Sequence, residues 1–82
     1  MSANIVICRM KNKDKILQQF ANNLREIRKA KELSQEALAD KAGFDRTYIS
    51  LLERGMRNLS LVNICRLAEA LDVNINELLI DL

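Results

Sequence analysis

Histidine and proline are absent from these 82 residues, there are two glycines and two cysteines, and aromatic residues make up 4% of the chain. Each shortage removes a class of function or fold. Without histidine, the ordinary zinc-ligand patterns and any Cys-His nucleophile pair are gone. There is also no carboxylate cluster of recognisable spacing and no glycine-rich phosphate loop. Nothing therefore resembles an active site, and neither a metal, another cofactor nor a small-molecule ligand is expected. With few helix breakers, and apolar residues at 49% of the chain, the composition favours helices packed through aliphatic side chains. The fold expected is all-α.

Long hydrophobic runs are also missing. Ile5, Val6, Ile7 and Cys8 form a run too short for a signal-peptide core or a membrane span, and no small-residue cleavage site follows it. Cys8 and Cys65 stand 57 positions apart and read as two thiols in a reducing cytoplasm. A cytoplasmic protein with no membrane partner is the expectation. At this length a single core is only just sufficient, so one domain that gains stability by dimerising is expected.

The formal net charge is +2, but it is unevenly spread. Residues 1–33 carry eight basic and three acidic groups, residues 34–58 four of each, and residues 59–82 one basic and four acidic. The chain is thus polarised, with a formal +5 in its first 33 residues and −3 in its last 24. Such a field suits a polyanionic partner at one end.

Residues 1–12 are open to three readings: a strand-like arm, a partner-binding tail, or a stretch without structure, which is the simplest. Residues 13–82 read as one domain. Ile16, Phe20, Leu24 and Ile27 mark one face of a helix running from about Asn12 or Lys13 to about Ala30 or Lys31. Lys13, Lys15, Arg25, Lys29 and Lys31 lie mostly off that face. Arg28, one turn beyond Leu24, is the exception.

The stretch from Gln35 to Asn58 organises the rest. Ser34 is a good N-cap, Ala37, Leu38, Ala39 and Ala42 give a small apolar face, and Gly43 can take the positive φ that ends one helix and turns into the next. Asp45 can cap the backbone N–H groups of Thr47 or Tyr48, and Phe44 is placed to staple onto Ile49. At about 100° per residue, Arg46, Thr47, Ser50, Leu51 and Arg54 share an arc of roughly 140° that excludes the inward Ile49 and Leu52. Two short helices meeting at a wide angle, the second with a polar outward face, form a helix-turn-helix whose second helix can enter a major groove.

After a loop from Gly55 to Leu59, Ser60 should cap a fourth helix with Leu61, Ile64, Leu67, Ala68 and Leu71 on one stripe and Arg66 and Glu69 pointing away. Asn74 with Glu77 makes a capping box for a short fifth helix through Ile75, Leu78 and Leu79. The architecture expected is a compact five-helix domain with a central helix-turn-helix. Leu59, Leu61, Ile75, Leu79, Ile80 and Leu82 are surplus apolar residues, assigned to a dimer interface, the alternative being that they close the monomer core.

This stretch resembles the phage repressor and Cro-like helix-turn-helix family through Ser34-Gln35, Leu38-Ala39, Ala42-Gly43 and Glu53-Arg54-Gly55. Within that family, Asp45 to Ser50 followed by Glu53-Arg54-Gly55 and Arg57-Asn58 is similar to the controller proteins of restriction-modification systems. The resemblance runs from about Lys15 to Leu79. Asp72, where many relatives have glycine, is a departure. The resemblance implies that Arg28 pairs with Glu53 at the end of the recognition helix, and that Gln35 binds the DNA backbone. It also implies a homodimer on a pseudo-palindromic operator, or two dimers on a tandem one, regulating its own gene and that of an endonuclease.

Physical chemistry sorts the contact residues. Gln35, at the first turn of a helix with unpaired N–H groups, suits a phosphate oxygen. Arg57 and Asn58 lie in the loop that phosphates of the same half-site would pass, and the hydroxyl of Tyr48 can reach out from a buried ring. For base readout, Arg46 can grip guanine through its guanidinium fork, Thr47 can hydrogen-bond or press its methyl on thymine, and Ser50 and Leu51 complete the surface. Ser50 is equally readable as a small residue that lets the helix approach. The competing functions are an antitoxin that represses its own toxin-antitoxin module, a phage-type repressor, and a protein adaptor that binds no DNA; the polar face with Arg46 and the basic loop argue against the adaptor.

Overall fold

The computed structural model describes residues 13–82, and the N-terminal arm expected over residues 1–12 lies outside the described residues. The described residues form five helices: α1 (Lys13–Ala30), α2 (Gln35–Ala42), α3 (Arg46–Glu53), α4 (Leu61–Leu71) and α5 (Ile75–Leu78). α1 packs against α3 and α5, α2 against α3 and α4, and α4 against α5. The fold is all-α, as the composition indicated.

Most helix ends follow from local chemistry. The Ser34 hydroxyl accepts from the backbone N–H of Ala37 at 2.9 Å, and that of Ser60 from Asn63 at 3.1 Å, each satisfying a donor the helix itself cannot pair. Gly43 closes α2 at φ 77° and ψ 31°, a left-handed conformation that a Cβ would penalise. Asn74 and Glu77 form the expected capping box at the start of α5, with the Glu77 carboxylate accepting from the N–H of Asn74 at 3.2 Å.

Asp45 differs from expectation, whereas α4 ends at Asp72 as its pattern indicated. Asp45 has the extended backbone of an N-cap, φ −78° and ψ 144°, but its side chain accepts no capping hydrogen bond. Its carbonyl, which starts the helical ladder, takes the N–H groups of Tyr48 and Ile49 at 3.0 and 3.3 Å. α4 ends on Asp72 at φ 58° and ψ 48°. This is a left-handed conformation that glycine takes without a Cβ penalty, and an aspartate occupies it.

The core consists of Phe20, Leu24, Leu38, Ala39, Ala42, Ile49, Leu52, Leu67, Ala68, Leu71 and Leu78. Each large aliphatic side chain removed from water here contributes about 1.5–3 kcal/mol. The stripes on α1 and α4 reach less far than their periodicity suggested: Ile16 is 39% and Leu61 68% exposed. Both sit in a first turn that overhangs the core. Of the residues assigned to a dimer interface, Leu59, Ile75 and Leu79 are half-buried against the core, which closes the monomer. Leu61, Ile80 and Leu82 are exposed, and so are Met56 and Val62, which the sequence reading passed over. No described helix is long and apolar enough to cross a membrane.

Candidate nucleic-acid interface

α3 is held at both ends so that its polar arc faces outward. Arg46, Thr47 and Arg54 are exposed, Ser50 and Leu51 are half-buried on the same side, and Ile49 and Leu52 are buried beneath.

α1 grips the C-terminal end of α3 with three side chains. Arg28 donates through Nε and Nη2 to the two carboxylate oxygens of Glu53 at 2.5 and 2.9 Å. Its Nη1 donates to the carbonyl of Leu33 at 2.8 Å. Arg25 donates to the carbonyl of Glu53 at 2.9 Å, and Gln18 to that of Arg54 at 3.0 Å. The last carbonyls of a helix lack intrahelical partners and carry its negative dipole end, so cationic and amide donors suit them. At 3.6 residues per turn, Gln18, Arg25 and Arg28 fall within an arc of about 80°. Gly55 then turns the chain at φ 71°, directly under the clamp: a Cβ there would lie 2.4 Å from Nε2 of Gln18.

α4 secures the other end. Nη2 of Arg66 donates to the carbonyls of Ala42 and Gly43 at 2.9 and 3.0 Å, and its guanidinium lies 4.2 Å from the centroid of the Phe44 ring. Phe44, expected to staple onto Ile49, packs against the core cluster that holds Ile49 and also meets Tyr48, with ring centroids 4.9 Å apart at 51°. The Tyr48 hydroxyl accepts from Nδ2 of Asn63 at 3.1 Å. The guanidinium of Arg57 sits 5.4 Å over the other ring, that of Tyr48.

Two of the residues assigned to phosphate contact, Tyr48 and Arg57, are thus brought together, while Asn58 is exposed in the same loop with its Oδ1 accepting from the N–H of Leu59 at 2.9 Å. Gln35 lies at the first turn of α2, but its amide is engaged: Nε2 donates to Oε1 of Glu53 at 3.1 Å. That leaves its carbonyl oxygen and second N–H for other partners. Sequence reading missed Gln18, Arg25 and Arg66. Their shared helix face was the one available signal for the first two. For Arg66 there was none, because its partners are backbone carbonyls 23 and 24 residues away. Among the described residues no cluster of metal-ligating side chains occurs.

Comparison with known proteins places this geometry in a family. The helix-turn-helix family model matches residues 24–78. The chain is 44% identical over 64 residues to the control protein C.MunI of a Mycoplasma species, covering 77% of this chain and 86% of the relative. It is similar to the crystal structure of the restriction-modification controller protein C.AhdI from Aeromonas hydrophila, with 56% identity, a TM-score of 0.74, and coverage of 76% of this chain and 94% of that one. A second similar structure is the controller protein C.Esp1396I, solved as a tetramer in complex with its natural 35-base-pair operator. There the identity is 35% and the TM-score 0.69, over 78% of this chain and 95% of the other. The α1 to α5 architecture, the clamped second helix and these matches together make the chain a member of the helix-turn-helix family, in the branch of the restriction-modification controller proteins.

Proposed function

We propose that this protein is a sequence-specific DNA-binding regulator of transcription that controls a restriction-modification system from the cytoplasm, with no enzymatic activity of its own. It binds a pseudo-palindromic operator as a homodimer, or as two dimers on a tandem operator. The observation that carries this reading is the outward arc of α3, polar and exposed, on a helix whose two ends are fastened to the rest of the domain. A rigid helix with a free polar face can enter the major groove without first losing conformational freedom.

In this reading Arg46, Thr47, Ser50 and Leu51 contact base edges. Gln35, Tyr48, Arg57 and Asn58 contact phosphates. A single recognition helix reads too few base pairs to select one site, so a two-fold dimer doubles the footprint and sets the half-sites about one helical turn apart. The exposed Leu61, Ile80 and Leu82 form the dimer surface, supported at their edges by Leu59, Ile75 and Leu79. The acidic residues 59–82 then meet their copy, and the basic residues 1–33 stay free for DNA.

Selection of duplexes from a random pool by the full chain, followed by gel shift in excess mixed-sequence DNA, tests the reading. Enrichment of a two-fold symmetric sequence that also occurs upstream of the chain's own gene is expected. A pool that gains no sequence preference over successive rounds would overturn it.

A further inference from the structure

Four side chains make successive contacts from α4 across the turn between α2 and α3 to the loop behind the recognition helix: Arg66 over Phe44 at 4.2 Å, Phe44 tilted at 51° against Tyr48 at 4.9 Å, and Arg57 over Tyr48 at 5.4 Å. The two cationic ends differ. Both are exposed, but Arg66 is anchored twice more, on the carbonyls of Ala42 and Gly43, whereas among the described residues Arg57 is held only by its place over the Tyr48 ring. Between them the rings are fixed, because Phe44 lies under the anchored Arg66 and the Tyr48 hydroxyl is held by Asn63. Asn63 and Arg66 are three residues apart on α4, and so lie on neighbouring parts of one helix face.

A guanidinium is attracted to the face of an aromatic ring, so the plane of that ring decides where an otherwise free cation rests. We propose that Arg66 and Phe44 are positioning residues for Arg57: by fixing the plane of the Tyr48 ring they hold the Arg57 guanidinium in place before a phosphate arrives. A long side chain already stacked loses less rotamer freedom on binding than one free in solvent. The inference rests on the reading of Arg57 as a phosphate contact. It assigns a DNA-binding role to α4, which in that reading touches no DNA.

The test is a pair of double-mutant cycles on the full chain, with binding to a mixed-sequence duplex measured over a range of salt. Arg57→Gln should lower the slope of log affinity against log salt by about 0.9 per subunit, the signature of one lost phosphate contact. Phe44→Leu, which changes no charge, should weaken binding by about threefold when Arg57 is present and leave it unchanged in the Arg57→Gln chain. Arg66→Lys keeps the charge but cannot stack and bridge two carbonyls in the same geometry, so it should behave as Phe44→Leu does. It also carries the test if loss of the ring prevents folding. Tyr48 is the one tyrosine of a chain without tryptophan, so near-ultraviolet circular dichroism reports its ring directly and should change in both variants. Equal losses with and without Arg57, beside a lowered slope for Arg57→Gln, would overturn the positioning role alone. A wild-type slope for Arg57→Gln would remove the phosphate contact itself, and the inference with it.

Discussion

Arg28 and Glu53, 25 residues apart, form a doubly hydrogen-bonded ion pair with relative exposures of 9% and 3%, joining α1 to the last residue of the recognition helix. Glu53 also accepts from Gln35, and Arg28 also donates to the carbonyl of Leu33. The pair therefore ties together α1, the loop that follows it, the start of α2 and the end of α3. Charges this far from water are tolerable only together. Arg28→Met or Glu53→Gln alone should each cost about 3–5 kcal/mol in urea unfolding. The double variant should cost less than the two summed. Additive losses would mean that the two charges do not support each other in solution.

Arg46 lies on the outward arc and is exposed, so its removal leaves the core untouched. Arg46→Ala should keep the melting temperature and lose about 1–3 kcal/mol of discrimination at one base pair per half-site. Binding to a panel of single-base operator variants measures this; an unchanged ranking of the panel would contradict the assignment.

Gln35 contacts Glu53 with one amide N–H and sits at the start of α2. Gln35→Ala should weaken binding to selected and mixed-sequence duplexes by the same factor, worth about 1.5–3 kcal/mol for a hydrogen bond to a charged group. A loss confined to the selected site would move Gln35 into base readout.

Asp72 combines two unfavourable features at the end of α4. Its φ of 58° is a conformation that costs a residue with a Cβ about 1–2 kcal/mol, and its charge faces the negative end of the helix dipole. Asp72→Gly should therefore stabilise the domain by about 1 kcal/mol, or roughly 4–8 °C in melting temperature for a chain of this size. Asp72→Asn isolates the charge contribution. A lower melting temperature for the glycine variant would show that the freedom it adds to the unfolded chain outweighs both gains.

The proposed dimer surface separates into two kinds of residue. Leu61 and Ile80 are 68% and 54% exposed, whereas Leu79 is half-buried against the core. Leu61→Glu or Ile80→Glu should shift sedimentation toward monomer and reduce operator affinity, with helical content and monomer stability retained. Leu79→Glu should do the same and also destabilise the monomer. A wild-type chain that remains monomeric at high micromolar concentration, yet binds a palindromic duplex with unit Hill slope, would refute the interface.

Where physics acts within a few residues, the sequence was readable. Ser34 and Ser60 cap because a hydroxyl reaches an N–H three residues on, and Gly43 turns because it lacks a Cβ. Glu77 reaches back to Asn74 for the same local reason. The 3.6-residue stripe located α1 and α4, but not where burial begins along them: Ile16 and Leu61 share the stripe and are still exposed. Asp45 shows the limit of local rules, since its backbone adopts the cap conformation while its side chain takes no capping bond.

By itself the sequence determined five aliphatic helices, the hinge at Gly43 and the polar arc from Arg46 to Arg54, because helix periodicity and turn chemistry are properties of neighbouring residues. Tertiary structure alone decided how that arc is presented. Gln18, Arg25 and Arg66 reach backbone carbonyls 23–36 residues away, and the contacting rings of Phe44 and Tyr48 each meet an arginine from a different element. A backbone carbonyl has no letter of its own in a sequence, so a side chain that binds one leaves no mark until the chain has folded.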